Sequence, residues 1–334
     1  MKKERINRTS RITISLLIIC FVFYMYLPPT TNIVDSMNET VGENHVDILC
    51  VGSSHMYCGI NPVQMYNDYG YAAYTLGVGA QSPWQSYYYI KEACKYQKPS
   101  VIIQDAYMMG CTQTDNDYCD YQTAANLVDA PLSYNKTCAV IESVADSKLN
   151  ILLRFPYVYN EYASFFEFTP QKFFGDENYS MGYEYRSEVM PCTDVVDKSG
   201  ITDETPISKK NEEYLRKIID YCRNNDIDLI LLNAPCPVLG KDNQVYYNYI
   251  KRIAKENKIL FINGDDIWKE VGMDWNTDSS DGGHLNHSGV TKFTKYVEEY
   301  IHSKYDIPDR RGENGYEAYD RGVEWLKEKL SEGE

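Results

Sequence analysis

Hydrophobic and polar positions along this chain follow two alternating patterns. Short apolar runs recur, each stopped by Gly, Asn, Pro or Ser. Between them lie longer stretches with apolar positions at helical spacing. Val46–Val51 is the first run and leads into Gly52-Ser53-Ser54; Ala72–Leu76, Val101–Ala106, Asp228–Asn233 and Ile259–Ile262 are the others. The intervening helices are predicted over Asn61–Tyr69, Pro83–Tyr96, Ser208–Asn224, Asp242–Asn257 and His287–His302. Pro83 suits a first helical turn and Ser208 an N-cap. Strands apolar on both faces that alternate with helices predict an α/β fold. The expected form is a three-layer α/β/α sandwich around a five-stranded, mainly parallel sheet. Ligands of such sheets bind beyond the carboxyl ends of the strands, which is where Gly52-Ser53-Ser54 falls.

Two regions break the rhythm. Residues 107–205 hold no long periodic segment and are aromatic-rich over Phe155–Phe174; they read as an insertion, either a lid or substrate wall or an irregular packing layer. Residues 304–334 form a charged tail, with helical spacing over Tyr316–Leu330. The α/β domain is therefore expected over 45–303, with 30–44 as a polar linker. Residues 1–29 differ from everything that follows. Lys2, Lys3, Arg5, Arg8 and Arg11 precede a charge-free run, Ile12–Leu27, which Pro28-Pro29 ends. A spanning helix needs ~20 apolar residues. The run is slightly shorter, but Arg11 can snorkel and Tyr24 and Tyr26 suit an interface. No A-x-A cleavage pattern follows, so the segment reads as an uncleaved transmembrane signal anchor. The basic flank would stay cytoplasmic and the rest of the chain would be extracytoplasmic, on a single-pass cell-membrane protein.

Composition narrows the function. The formal net charge of −15 argues against a nucleic-acid partner. The 31 tyrosines suit an amphipathic ligand such as carbohydrate, and equally serve as core and surface filler. Among the ten cysteines no pair has C-x-x-C spacing, which argues against a zinc ribbon or thioredoxin-like site. Cys111, Cys119, Cys138 and Cys192 could pair in an oxidising compartment or remain thiols.

The chemistry concentrates in two distant segments: Val51-Gly52-Ser53-Ser54-His55 after the first strand, and Asp281-Gly282-Gly283-His284-Leu285-Asn286 before the His287 helix. A serine hydroxyl needs a base within hydrogen-bond reach, and that base needs an orienting carboxylate. Aspartate three residues before histidine on a Gly-Gly turn can reach Nδ1, leaving Nε2 to face a serine. Other readings stand beside this one. Ser54 could cap a helix, Ser53 could be the nucleophile, and Asp281 and His284 could be turn residues. His55, His284, His287 and Asp281 could converge on a metal, but no Cys or Glu completes the usual ligand spacing, so no metal and no other cofactor is expected.

On these two blocks the chain resembles the SGNH/GDSL hydrolase superfamily, over about residues 45–303. The resemblance implies Ser54 as nucleophile, His284 as base and Asp281 as orienting acid. It implies an oxyanion hole from the Ser54 N–H and Gly79, with Gly77 the alternative and the Gln81 amide beside it. The family's third block, Gly-x-Asn-Asp after the third strand, is absent. The sequence there is QDAYMMG, so the third donor is left unassigned. With its anchor, the chain resembles the membrane-anchored branch that includes the D-alanyl transfer protein of teichoic acid synthesis and the alginate O-acetylation proteins. That implies an esterase or O-acyltransferase acting on acylated envelope polysaccharide or an acyl carrier, beside a membrane-bound O-acyltransferase. The alternative is a non-catalytic glycan-binding or scaffolding partner of such an enzyme.

Overall fold

The computed structural model describes residues 12–19, 33–113, 126–127, 130, 133–143, 148–152, 179–198, 200–238 and 240–332. Five strands, β1 (Ile48–Gly52), β2 (Ala73–Gly77), β3 (Val101–Asp105), β4 (Asp228–Asn233) and β5 (Leu260–Asn263), form one sheet in the order β2-β1-β3-β4-β5. Every pairing is parallel. The predicted strands therefore lie within a residue or two of the observed ones. β1 and β3 are buried along their whole length, as parallel strands covered on both faces must be.

Alternate strand residues feed two separate cores. Leu49, Val51, Ile102, Leu229 and Leu231 pack on one face, and Ile48, Cys50, Val101, Ile103, Ile230 and Leu232 on the other. Helices cover both faces. α1 (Ile33–Val41), α4 (Pro83–Ala93), α8 (Lys209–Asn224) and α9 (Lys241–Glu256) supply side chains to the first core. α3 (Pro62–Tyr69) contributes Val63 and Tyr66 to that core and Met65 to the second. α10 (Gly264–Val271) and α11 (His287–Lys304) line the second.

Local chemistry sets the helix starts. Asn61 accepts the N–H groups of Val63 and Gln64 at the head of α3, and Ser82 and Gln85 close a capping box on α4. Ser208 caps α8 as predicted.

Two expected peripheral segments are built into the body. The stretch 30–44, read as a linker, contains α1, whose Val34, Met37 and Val41 are buried. The tail holds α12 (Glu317–Glu332), whose Tyr319 is buried and stacks on Tyr66 of α3 with ring centroids 5.1 Å apart. The tail helix follows the spacing expected over Tyr316–Leu330, whereas α1 presents too few apolar positions to stand out from a polar sequence background. Within 107–205 the described residues add three short helices, α5 (Tyr107–Cys111), α6 (Tyr134–Ser143) and α7 (Lys148–Leu152), and a strap over residues 179–198. The aromatic stretch Phe155–Phe174 lies outside the described residues. Of the apolar run Ile12–Leu27, residues 12–19 are helical and the remainder lies outside the described residues. Among the described residues no helix is long and apolar enough to cross a membrane.

Candidate active site

The chain runs from β1 outward to β2 and then back across to β3 on the other side. The carboxyl end of β1 is thus the switch point at which such sheets open a crevice. Gly52 ends the strand, Ser53 turns the backbone, and Ser54 heads a single helical turn, α2 (Ser54–Tyr57). As the first helical residue, Ser54 carries one of the N–H groups that have no intrahelical acceptor. Ser53 is not the outward-facing hydroxyl. It is buried, its Oγ–H and N–H both donate to Asp105 Oδ2, at 2.6 and 3.0 Å, and its Oγ accepts the His55 N–H. Asp105 ends β3 and occupies the place of the missing third block. Its Oδ1 accepts the Tyr107 N–H at 2.8 Å. Burial pushes its carboxyl above the ordinary value, against the Ser53 and Tyr107 hydrogen bonds that lower it. The contact also explains Gly52: a Cβ there would lie 2.1 Å from that of Asp105.

The second block folds as a pinned turn. The Ser280 N–H donates to the His284 carbonyl and Gly282 N–H to Ser279 Oγ. Gly283 and His284 N–H both donate to Asp281 Oδ1, at 2.9 and 2.8 Å. Only Gly282 needs a glycine's freedom, at φ +81°. This turn brings His284 Nδ1 to 2.8 Å from Asp281 Oδ2, and Asn286 then caps α11.

The two blocks meet. His284 Nε2 lies 2.7 Å from Ser54 Oγ, across 230 positions of sequence. Burial acts to raise the Asp281 carboxyl, but hydrogen bonds from the His284 ring and from the N–H groups of His284 and Gly283 outweigh it and hold the group at about 2. The carboxylate is therefore an acceptor across the working pH range.

Three neighbours surround this series, of which only His55 was among the candidates read from the sequence. His55 is buried, stacks on Tyr107 at 3.3 Å between ring centroids and lies 4.7 Å from the His284 ring. Burial, reinforced by the nearby His284, keeps it neutral well below its ordinary pKa. Tyr57, on the turn that begins with Ser54, has its phenol pushed up to about 12, chiefly by burial. Arg186, from the strap, places Nη1 2.8 Å from Asp281 Oδ2. It sits in an aperiodic segment with no sequence signal, whereas Asp105 could have been found from its position at the end of a strand.

The remaining expected residues occupy the turn after β2, which β1 pairs in register Gly52↔Gly77. The Gly79 carbonyl accepts from Asn126. Gln81 is buried. Its Nε2 donates to Ser86 Oγ at 2.9 Å and its Oε1 accepts the Val78 N–H. The side chain thus braces the turn. Gly77 packs against the Tyr57 ring. His287 turns away from His284: its Nδ1 hydrogen-bonds the Tyr183 hydroxyl at 3.1 Å. Among the described residues no group of three His, Cys, Asp or Glu is arranged to hold a metal ion. Cys111, Cys138 and Cys192 form no disulfide among the described residues, and Cys119 lies outside them.

No family model matches the chain, and no curated protein does. Among solved structures it is similar to a "putative acylhydrolase" from Bacteroides fragilis, with TM-score 0.39 and 12% identity over 80% of this chain and 92% of that one. It is also similar to TesA, with TM-score 0.38 and 10% identity over 76% of this chain and 97% of that one. The chemistry of the site is read from its own side chains.

Proposed function

We propose that this chain is a serine esterase or O-acyltransferase in which Ser54 is the nucleophile, His284 the general base and Asp281 the orienting acid. One observation carries the reading: the unbroken hydrogen-bonded series Ser54 Oγ, His284 Nε2, His284 Nδ1, Asp281 Oδ2. Ser54 Oγ adds to the carbonyl carbon of an ester while its proton passes to Nε2. The oxyanion is met by the Ser54 N–H and by the turn that carries Gly79. Collapse breaks the ester C–O bond, and the alcohol leaves with the proton from His284. Water or a second hydroxyl then attacks the acyl-serine, returns a proton through His284 and releases the acid or a new ester.

The substrate reading rests on the sequence. The basic flank and the apolar run Ile12–Leu27 support a membrane-anchored, extracytoplasmic enzyme that acts on acylated envelope polysaccharide or an acyl carrier, beside a membrane O-acyltransferase. The SGNH/GDSL resemblance supports the same class of chemistry.

Two experiments test the proposal. Ser54→Ala is expected to abolish hydrolysis of p-nitrophenyl acetate and leave the circular dichroism spectrum unchanged; retained turnover removes Ser54 from the mechanism. A fluorophosphonate probe is expected to label Ser54 in the intact chain and not the variant. Absence of any serine adduct would favour the glycan-binding or scaffolding reading, which the missing third block supports.

A further inference from the structure

Asp281 is the least enclosed member of the hydrogen-bonded series, with its side chain 42% exposed on a surface turn. Its Oδ1 is satisfied from within that turn. Its Oδ2 is shared between His284 Nδ1 and the Arg186 guanidinium, each at 2.8 Å. Arg186 is itself fixed. Its Nε and Nη2 both lie 2.8 Å from Glu184 Oε1, and Nη1 reaches Ser280 Oγ at 3.4 Å. Its backbone carbonyl accepts the His287 N–H at 2.8 Å, so the residue brackets the catalytic turn on both sides. The strap carrying it is tied down by backbone bonds from Glu184 to Tyr57, Met190 to Ser279 and Cys192 to Trp275.

Building on the esterase reading, we propose that Arg186 is a positioning residue for the Ser54–His284 reaction. It clamps the Asp281 carboxylate in place from its solvent side and sets the basicity of His284. A carboxylate in a closed site is oriented by its walls; here a planar, permanently charged guanidinium takes that role through Nη1, while its Nε–Nη2 fork is held by Glu184. Its positive charge sits on the same oxygen that the imidazole uses. It offsets part of the field with which the carboxylate would stabilise an imidazolium.

The groups that face this pair come from three elements. Asp281 lies on the turn itself. Ser54, His55, Tyr57 and Cys58 come from the segment after β1, and Glu184 and Arg186 from the strap. His55 is held neutral by burial, and Glu184 is spent on the far side of the guanidinium.

The test uses the full chain and two readouts. In Arg186→Gln the acid limb of kcat/KM for p-nitrophenyl acetate is expected to move up by about half to one pH unit. The plateau kcat is expected to fall about tenfold or more as the carboxylate loosens, while KM for this neutral ester changes little. Arg186→Lys, which keeps the charge without the fork, is expected to lose kcat with its limb within about 0.3 unit of the parent. A purely structural role would lower kcat and leave the limb in place. The second readout is the imidazole titration of His284, followed by NMR in a Ser54→Ala background, where turnover is not needed. His284 is expected to titrate higher with Arg186→Gln by the same half to one unit. An unmoved titration overturns the inference about Arg186. Retained activity in Ser54→Ala overturns the esterase reading instead, so the two failures are distinguishable. If Arg186→Gln does not fold, Glu184→Gln takes its place. Freeing the guanidinium from its counter-charge is expected to shift the titration downward, and an upward or absent shift overturns the inference.

Discussion

Asp281 shows how much a single residue's partners decide. Four donors converge on one partly exposed carboxylate, and those from His284 and Gly283 keep it ionised down to about 2. Asp281→Asn is expected to lower kcat by ~10³-fold or more, because an amide in this place favours the wrong imidazole tautomer. The sign of the acid effect follows from the depressed value. Between the ordinary carboxylate pKa and about 2 the unfolded chain binds a proton that the folded chain does not. The stability contributed by Asp281 is therefore complete above that window and lost as pH falls through it. Comparison of acid-unfolding midpoints of the parent and Asp281→Asn checks this.

Glu298 behaves in the opposite way. It is buried beneath α3, with Gln64 Nε2 donating to one oxygen and the Asp68 carboxylate nearby. Burial, reinforced by Asp68, pushes its carboxyl up to about 8. Here the folded state holds the proton longer, so stability is full below the ordinary glutamate value and falls as pH rises towards 8. Glu298→Gln is expected to flatten that decline and to gain on the order of 2 kcal/mol above pH 8, read from urea unfolding at several pH values.

At the scale of elements, the Asp281–His284 turn is held by a helix start. Asn286 Oδ1 accepts the Gly289 N–H to cap α11, while its Nδ2 donates to the Thr277 carbonyl at 2.7 Å and the Glu188 carbonyl at 3.1 Å. One buried side chain thus joins the helix, the loop before the Asp281 turn, and the strap. Asn286→Ala removes an N-cap and the hydrogen bonds to two part-buried carbonyls. It is expected to cost about 2 kcal/mol and to lower kcat, since His284 lies two residues away. Thermal melts and turnover measured on the same preparations test both parts. The β1–α2 junction works similarly. Asp105 at the end of β3 grips Ser53, so the backbone that presents Ser54 is fixed by the neighbouring strand. Ser53, between the strand and Ser54, is there to be held, which a pattern reading of two adjacent serines does not reveal.

At the scale of the whole molecule, the strap is fastened at its far end by a buried ion pair. Lys198 Nζ lies 2.7 Å from Asp265 Oδ2 with both side chains nearly inaccessible, and also donates to the Cys236 carbonyl. Such a pair costs desolvation, but breaking it costs more. Lys198→Met leaves Asp265 buried and unmatched and is expected to destabilise by about 3–5 kcal/mol, whereas Lys198→Met with Asp265→Leu should recover much of that loss. Chemical denaturation of the three proteins decides it. The strap is thereby anchored at Asp265 and at Asp281, which ties a segment without secondary structure both to α10 and to the Asp281–His284 turn.

Much of this was legible from local pattern. Strand and helix positions follow from apolar period, caps and Gly or Pro stops, because those interactions span a few residues and act before the chain folds on itself. The Asp281–His284 geometry belongs to the same class: an aspartate accepting N–H groups two and three residues on closes its own turn. The sequence by itself thus determined the five strands, the longer helices between them, the α/β class and one half of the site. The tertiary structure alone decided the other half. The order β2-β1-β3-β4-β5 carries Ser54 to His284, Asp105 to Ser53 and Arg186 to Asp281. These contacts bridge tens to hundreds of residues, and no local period encodes them. Which side chains meet across such separations is set by strand order and by the path of the connections, and those are fixed only when the apolar faces are buried together.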